Sequence, residues 1–351
     1  MQATRYQKNV VKDLCEIDAE GAVNFKKATA NWIFTDYHKY ANEYTGIKKY
    51  RFYFKIFRGY MRAYWKMFLT RIKGECYIGP FIGEFGNFLS FILPYLNYLH
   101  SKNIKVHYCG MALYKPFMYD DKKELIVSSF VEVRDFLYET SPSGNSGQLP
   151  KDVEEQINAF KVDAKSSGVP FWNLEHVFFY WYIFRTWIGP FMKTPTLEKI
   201  YKTKEENSVV IFPRKKDVDF NAPYGEAWDF EELARVVSPF FKKVYLLGHP
   251  AQSMNMKSHD NVEVLISADN AVLIEKCANA TLIITQHSGT KYLGELTNTQ
   301  VLVIYKGQFP IFGMLDNVMI NYRLGKKKPW HFAFSLDEVK KYCQSKIASN
   351  Y

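Results

Sequence analysis

Four short stretches of this 351-residue chain place charged or polar residues directly after apolar runs of strand character. The first is IGEFGN, where Glu84 stands between Gly83 and Gly86, with Asn87 next. The glycines permit a tight turn and close backbone approach. A carboxylate there is placed to take a proton from an attacking hydroxyl, the task of a general base. It would equally serve as a first-turn residue favouring a helix dipole. The second is FPRKKD, with Arg214, Lys215 and Lys216. Arginine suits bidentate phosphate contact and lysine acts as a point charge, so the trio would neutralise a diphosphate leaving group as its charge develops. The plain alternative is a basic loop in solvent.

The third stretch, LLGHPAQ, ends a strand on Gly248 and His249. His249 is a candidate for contact with a nucleotide's base or ribose, or simply part of a turn. The fourth is TLIITQHSGTKYLGEL. An apolar run breaks at Gln286, His287, Ser288, Gly289 and Thr290 follow, and a helical pattern resumes. The first N–H groups of a helix lack partners and attract anions. Ser288 and Thr290 would add hydroxyl donors, and Gly289 would let a phosphate come close. Ordinary helix capping is the competing reading. Gln286, His287 and Ser288 are adjacent only in sequence and suggest no nucleophilic triad. Asp217-Val218-Asp219 spells a metal-binding DxD, but its context is wrong for one and no metal is expected.

All four stretches need strands to carry them. CYIGPFIG reads as a strand, EFGNFLSFILPYLNYLHSKN as a helix with Pro94 as its irregularity, and IKVHYCG as the next strand. This is the start of a parallel α/β sheet. ELIVSSFVEV adds a strand, TSPSGNSGQLP an exposed loop and residues 151–166 a helix. VFFYWYIFRTWIGPF reads as a buried helix. From Asn207 a second alternation begins: SVVIFP, KKVYLLG, NVEVLI, TLIITQ and VLVIY as strands. DFEELARVVSPFF, SADNAVLIEKCANA with Ser267 as N-cap, and TKYLGELTN are the helices between them. SLDEVKKYCQ closes the chain with a capping box of Ser335 and Glu338. The strands are short and apolar throughout, as in a sheet covered on both faces. Ligands of such sheets bind beyond the carboxyl ends of the strands, where all four stretches lie.

The formal charge is +10 and the pI about 9.1. Such a balance fits either a Lys-rich solvated surface or an anionic partner. Nucleic acid, suggested by net charge alone, is not expected. Five cysteines, none in a CxxC, point to free thiols in a reducing compartment. The polar N-terminus is no signal peptide and no apolar window is long enough to span a bilayer, so a cytoplasmic location is expected. Residues 1–72 show no clear strand. Residues 47–73 mix aromatic with basic residues. They read as a helix packed on the body, with contact to an anionic membrane surface as the alternative.

The run IGEFGNFLSFILPYL, the basic residues ahead of Trp228, and HSGTKYL together resemble GT-B glycosyltransferases. The nearest group is the heptosyltransferase-like one, glycosyltransferase family 9. That family carries Gly-Asp where this chain has Gly83-Glu84. Its diphosphate motif, Asp-Ser/Thr-Gly-x-x-His, would correspond to His287, Ser288, Gly289 and Tyr292. The resemblance implies two Rossmann-like domains, 74–200 for the acceptor and 201–330 for the donor, facing a cleft. A helical segment, 1–73, would precede them and a helix, 331–351, would follow. It implies metal-independent transfer of a sugar from a nucleotide-sugar co-substrate to a hydroxyl of a glycan or glycolipid, with Glu84 as base and no further cofactor. A pyruvyl transferase, a sugar-nucleotide epimerase, or a non-catalytic glycan- or membrane-binding protein would share the architecture.

Overall fold

Strands that are apolar at nearly every position must be covered on both sides, and this requirement shapes the whole chain. The computed structural model describes residues 15–17, 23–25, 45–136, 149–175, 192–203, 207–214, 228–250, 253–286, 288–304 and 330–348. The expected α/β architecture of two Rossmann-like sheets is what they form. The expected buried helix over 177–191 and most of the expected loop near 140–150 lie outside the described residues.

The first sheet contains β3 (Glu75–Phe81), β4 (Lys105–Met111), β5 (Ser129–Val133) and β6 (Phe171–Trp172). All pair in parallel, in the order β5-β4-β3-β6. The second contains β7 (Ser208–Ile211), β8 (Lys243–Gly248), β9 (Val262–Ile266), β10 (Leu282–Thr285), β11 (Gln300–Ile304) and β12 (His331–Ala333). These are also parallel, in the order β12-β11-β10-β7-β8-β9. Each sheet reverses direction beside its own first strand: β3 lies between β4 and β6, and β7 between β8 and β10. Such switch points are where open α/β sheets bind ligands.

Helices fill the crossovers. The helix α1 (Ile47–Lys73) precedes β3. The helix α2 runs continuously through Phe85–Asn87, a π-helical segment Phe88–Ile92, and Leu93–His100. Then come α3 (Lys151–Ser166), a single turn α4 (Glu198–Tyr201), α5 (Phe230–Val237), α6 (Asn270–Asn279), α7 (Leu293–Thr297) and α8 (Leu336–Ala348). Alternation along β7 divides the core. Val209 and Ile211 pack with Leu233 of α5 and Val339 and Cys343 of α8. Val210 joins Ile274 of α6 and Leu293 of α7 in a core that continues into the first sheet.

Four details differ from the sequence reading. Cys15–Ile17 and Val23–Phe25 pair as two short antiparallel strands, β1 and β2, where no strand was expected. The N-cap of α6 is Asp269, whose Oδ1 accepts from Ala271 N at 2.8 Å. Ser267 instead accepts from Asp269 N at 3.0 Å, shaping the turn before the cap. Residues 331–348 supply the outermost strand and a covering helix of the second sheet. The capping box holds in part: Ser335 Oγ accepts from Glu338 N at 3.3 Å, while the Glu338 carboxylate turns to Phe334 N, 2.7 Å away.

The two sheets are joined by a strap and by a direct backbone contact. Along residues 192–203, Lys193 O accepts from Asn97 Nδ2 at 2.8 Å and Leu197 N donates to Leu296 O at 2.8 Å. Thr194 Oγ1 donates to Glu295 at 2.9 Å and Thr203 N to Asn279 Oδ1 at 2.9 Å. The direct contact is between glycines. A Cβ on Gly289 would lie 2.7 Å from Gly86 N and 2.8 Å from Gly86 Cα. One on Gly86 would lie 3.1 Å from Gly289 Cα. Gly289→Ala is therefore expected to destabilise the fold by ~1–3 kcal/mol through overpacking against backbone that cannot rotate away. Gly86→Ala should cost less, because the gap is wider and alanine regains up to ~1 kcal/mol of helix propensity. Urea unfolding of both variants measures this; the reverse order would show that the halves do not pack through this pair.

Candidate functional site

The turn that carries Glu84 is held from below by rings. Tyr114, fully buried, donates its hydroxyl to Gly83 O at 2.6 Å. Its ring stacks on Phe88 with centroids 4.3 Å apart and planes 7° from parallel. Phe81 and Phe85 flank the same ring, and Phe85 also meets Phe117 at 5.3 Å. Glu84 itself is exposed and opens α2 in extended geometry; its side chain makes no capping bond. The helix-dipole reading of Glu84 needs no hydrogen bond, and its place at the helix start is compatible with it. Asn87 and Gly86 follow on the first turn, half-buried.

Phe85 and Gly86 are the residues against which Gly289 packs. The turn of Glu84 therefore abuts the start of the segment after β10. There a 3₁₀ turn, Gly289–Tyr292, leads into α7. Gly289 uses its missing side chain to meet Gly86, whereas the sequence suggested room for a phosphate. The hydroxyls also behave differently from expectation. Thr290 Oγ1 lies 2.5 Å from both Thr285 Oγ1 and Ser288 Oγ, and Thr285 Oγ1 lies 3.1 Å from Gln286 O. Three hydroxyl protons can all be used inside this loop, so Ser288 and Thr290 organise it rather than cap the helix. The backbone N–H groups of Ser288, Gly289 and Thr290 have no hydrogen-bond partner among the described residues. They are the donors that an anion would meet.

Arg214 follows the neighbouring strand β7, at the same end of the sheet. Phe212 N donates to Ile284 O at 3.2 Å, so the chain leaving β7 runs beside Thr285 and Gln286. Arg214 is half-buried and bridges Ser253 through its backbone. Gly248 and His249 lie one strand further out. Gly248 gives way to the Ser253 hydroxyl, which a Cβ would strike. Ser253 N donates to His249 O at 2.9 Å. Burial lowers the pKa of His249 from its ordinary value, against the opposing charge of Asp135. Asp135 follows β5 of the first sheet. Lys215, Lys216, His287 and the Asp217–Asp219 pair lie outside the described residues.

Two residues were given no role from sequence, and Gln286 figured there only as the break after the apolar run. Lys291 is only 2% exposed, with its ammonium 5.1 Å from the centroids of both Tyr292 and Trp330. Its charge lies in the 3₁₀ turn Gly289–Tyr292, against two aromatic faces. Gln286 keeps Oε1 shut from solvent with no partner among the described residues. The adjacency of Lys291 to the His-Ser-Gly-Thr cluster was the only signal for it, and lysines usually read as solvated. Among the described residues no group of three or more His, Cys, Asp or Glu gathers as for a metal ion.

Tyr114 should decide how firmly the turn is held. Tyr114→Phe keeps the stack and loses one hydrogen bond, a loss of ~1 kcal/mol. Tyr114→Ala removes the ring and should cost ~3–5 kcal/mol. Chemical unfolding of the two variants tests this, and equal losses would show that the ring packing carries nothing.

No protein-family model matches the chain, and no curated protein sequence does. Among solved structures, the chain is similar to a glycosyl transferase family 9 protein from Veillonella parvula DSM 2008. The TM-score is 0.46 at 11% identity, over 78% of this chain and 97% of that one. It is also similar to the E. coli heptosyltransferase WaaC with ADP, with a TM-score of 0.47 at 10% identity over 78% and 99% of the two chains. The E. coli ADP-heptose lps heptosyltransferase II gives 0.46 at 12% identity over 79% and 99%.

Proposed function

We propose that this chain is a metal-independent glycosyltransferase that moves a sugar from a nucleotide-sugar donor to a hydroxyl of a glycan or glycolipid. One observation carries the reading. The backbone contact between Gly86 and Gly289 sets the Glu84 turn against the unpartnered N–H groups of Ser288, Gly289 and Thr290. A carboxylate base and an anion seat, each at the switch point of its own sheet, are the two parts that such a transfer needs.

In this reading the donor diphosphate lies on the N–H groups after β10. Arg214 and Lys291 add positive charge from either side, with Lys215, Lys216 and His287 as further donor-side candidates. Gly248 and His249 are placed for the donor's base or ribose. The acceptor approaches over Gly83, Gly86 and Asn87. Glu84 takes the proton of its hydroxyl as the oxygen bonds to the anomeric carbon. The bond from that carbon to the diphosphate oxygen breaks, and the nucleoside diphosphate leaves with the electron pair. Positive charge and aligned N–H groups favour this departure because they meet charge that exists only as the bond breaks.

Glu84→Gln is expected to lower turnover by ~10²–10⁴-fold, the usual worth of a positioned base. Nucleoside diphosphate should still raise the melting temperature of the variant as it does that of the parent, because the anion seat is untouched. Release of free nucleoside diphosphate from a panel of nucleotide sugars is the activity measurement. Undiminished turnover in the variant removes Glu84 from the role. Absence of both release and thermal shift across the panel removes the donor itself.

A further inference from the structure

The helix α1 presents two unlike faces. One is keyed into the body: Ala63, Met67 and Thr70 are buried, and Thr70 Oγ1 accepts from Trp172 Nε1 at 3.1 Å. Lys66 Nζ donates to Phe171 O at 2.7 Å. The other face carries Ile47, Tyr50, Phe54, Phe57, Met61, Trp65, Phe68 and Ile72, each between 52% and 76% exposed. Only two other large hydrophobics, Val131 and Val162, are comparably exposed among the described residues. Scattered exposed apolar side chains need no explanation, but an ordered row does.

The row is ordered. Its members recur every three or four positions. At ~100° per residue they fall within an arc of about 80°. They run the length of a 27-residue helix, roughly 40 Å at ~1.5 Å per residue. The adjoining arc holds Arg51, Lys55, Arg58, Arg62 and Lys73, and the helix contains no Asp or Glu. No other face of the described chain joins a long apolar stripe to a border of one charge.

Charge selects the occupant. A second copy of the helix would bring cations against cations with no carboxylate on either strand to offset them. Bare solvent leaves the aromatics unburied. An anionic bilayer satisfies both faces: the stripe sinks to the headgroup–acyl boundary, and the arginines and lysines meet lipid phosphates. Trp65 and Tyr50 have the ring-plus-polar-tip character favoured at that boundary. No helix among the described residues is long and apolar enough to cross a membrane, so the contact is one of lying on the surface. We infer that α1 docks this protein flat onto an anionic phospholipid bilayer through its Ile47–Ile72 stripe. The inference stands apart from the catalytic reading, since nothing in it depends on turnover.

Flotation of the full chain with vesicles tests it. Partition onto phosphatidylcholine containing about one third phosphatidylglycerol should exceed partition onto phosphatidylcholine alone by tenfold or more, and added salt should weaken it. Phe54→Ser with Phe57→Ser should cut binding by on the order of tenfold. The melting temperature should not move, because both side chains face solvent and serine and phenylalanine have similar helix propensity. Arg51→Gln, Arg58→Gln and Arg62→Gln together should abolish the preference for the anionic lipid. Equal partition of the parent onto both vesicles overturns the assignment, as does no flotation. So does a dimer that the serine variant splits, which would make a second copy the occupant. A melting temperature lowered by several degrees in that variant would show the stripe covered by the protein itself. RNA binding that survives the serine changes and outcompetes vesicles would place a nucleic acid there instead.

Discussion

Two backbones meeting without side chains between them is the constraint on which this molecule is built. Gly86 belongs to the first turn after the first strand of one sheet, and Gly289 to the first turn after β10 of the other. A Cβ on Gly289 could not be held at this separation, and one on Gly86 would require its neighbour to give way by a few tenths of an ångström. The contact converts two separate α/β units into one arrangement in which their switch points face each other. Everything assigned to the site inherits its geometry from this pair. The aromatic packing around Tyr114 fixes one partner and the hydroxyl cluster of Thr285, Ser288 and Thr290 fixes the other.

The division of labour between backbone and side chain follows from this. At the proposed anion seat the donors would be N–H groups whose directions are set by the fold, so no rotamer would have to be ordered when a ligand arrives. The serine and threonine hydroxyls spend their protons on one another and keep the loop in shape. In the proposed site, charged side chains would supply field rather than placement. Arg214 emerges half-buried from β7, and Lys291 is held between two rings. A loop whose hydroxyls are mutually satisfied keeps its shape without help from a ligand.

Much of this was legible in the sequence, for identifiable reasons. Strands such as SVVI and LIIT are apolar at every position, which only a doubly covered sheet requires, so the second sheet could be read almost strand by strand. The glycine spacing around Glu84 marked a turn at a strand end. Much of what escaped notice depends on contacts between distant parts of the chain. Gly289 reads locally as space for a ligand, and only the fold shows that Gly86 occupies the space. Tyr114 reads as one aromatic among many until its hydroxyl is seen on Gly83 O. Lys291 reads as solvated because lysine usually is. Ser267 lost the cap to Asp269, since two acceptors in one turn compete and sequence does not rank them. In α1 the helical spacing was visible, but which apolar face the body would cover was not.

The helix α1 ends on Gly74 in the left-handed conformation, and β3 begins at the next residue. There is no linker between them. Glu84 is thus ten residues from the helix end, a span that cannot exceed about 36 Å even fully extended. With α1 also pinned to β6 through Trp172 and Phe171, the helix cannot act as a flexible leash. On the bilayer proposed for it, the helix would work as a ruler. An acceptor anchored in the same surface as α1 would have to present its hydroxyl within that height, which favours short headgroups over long, projecting chains.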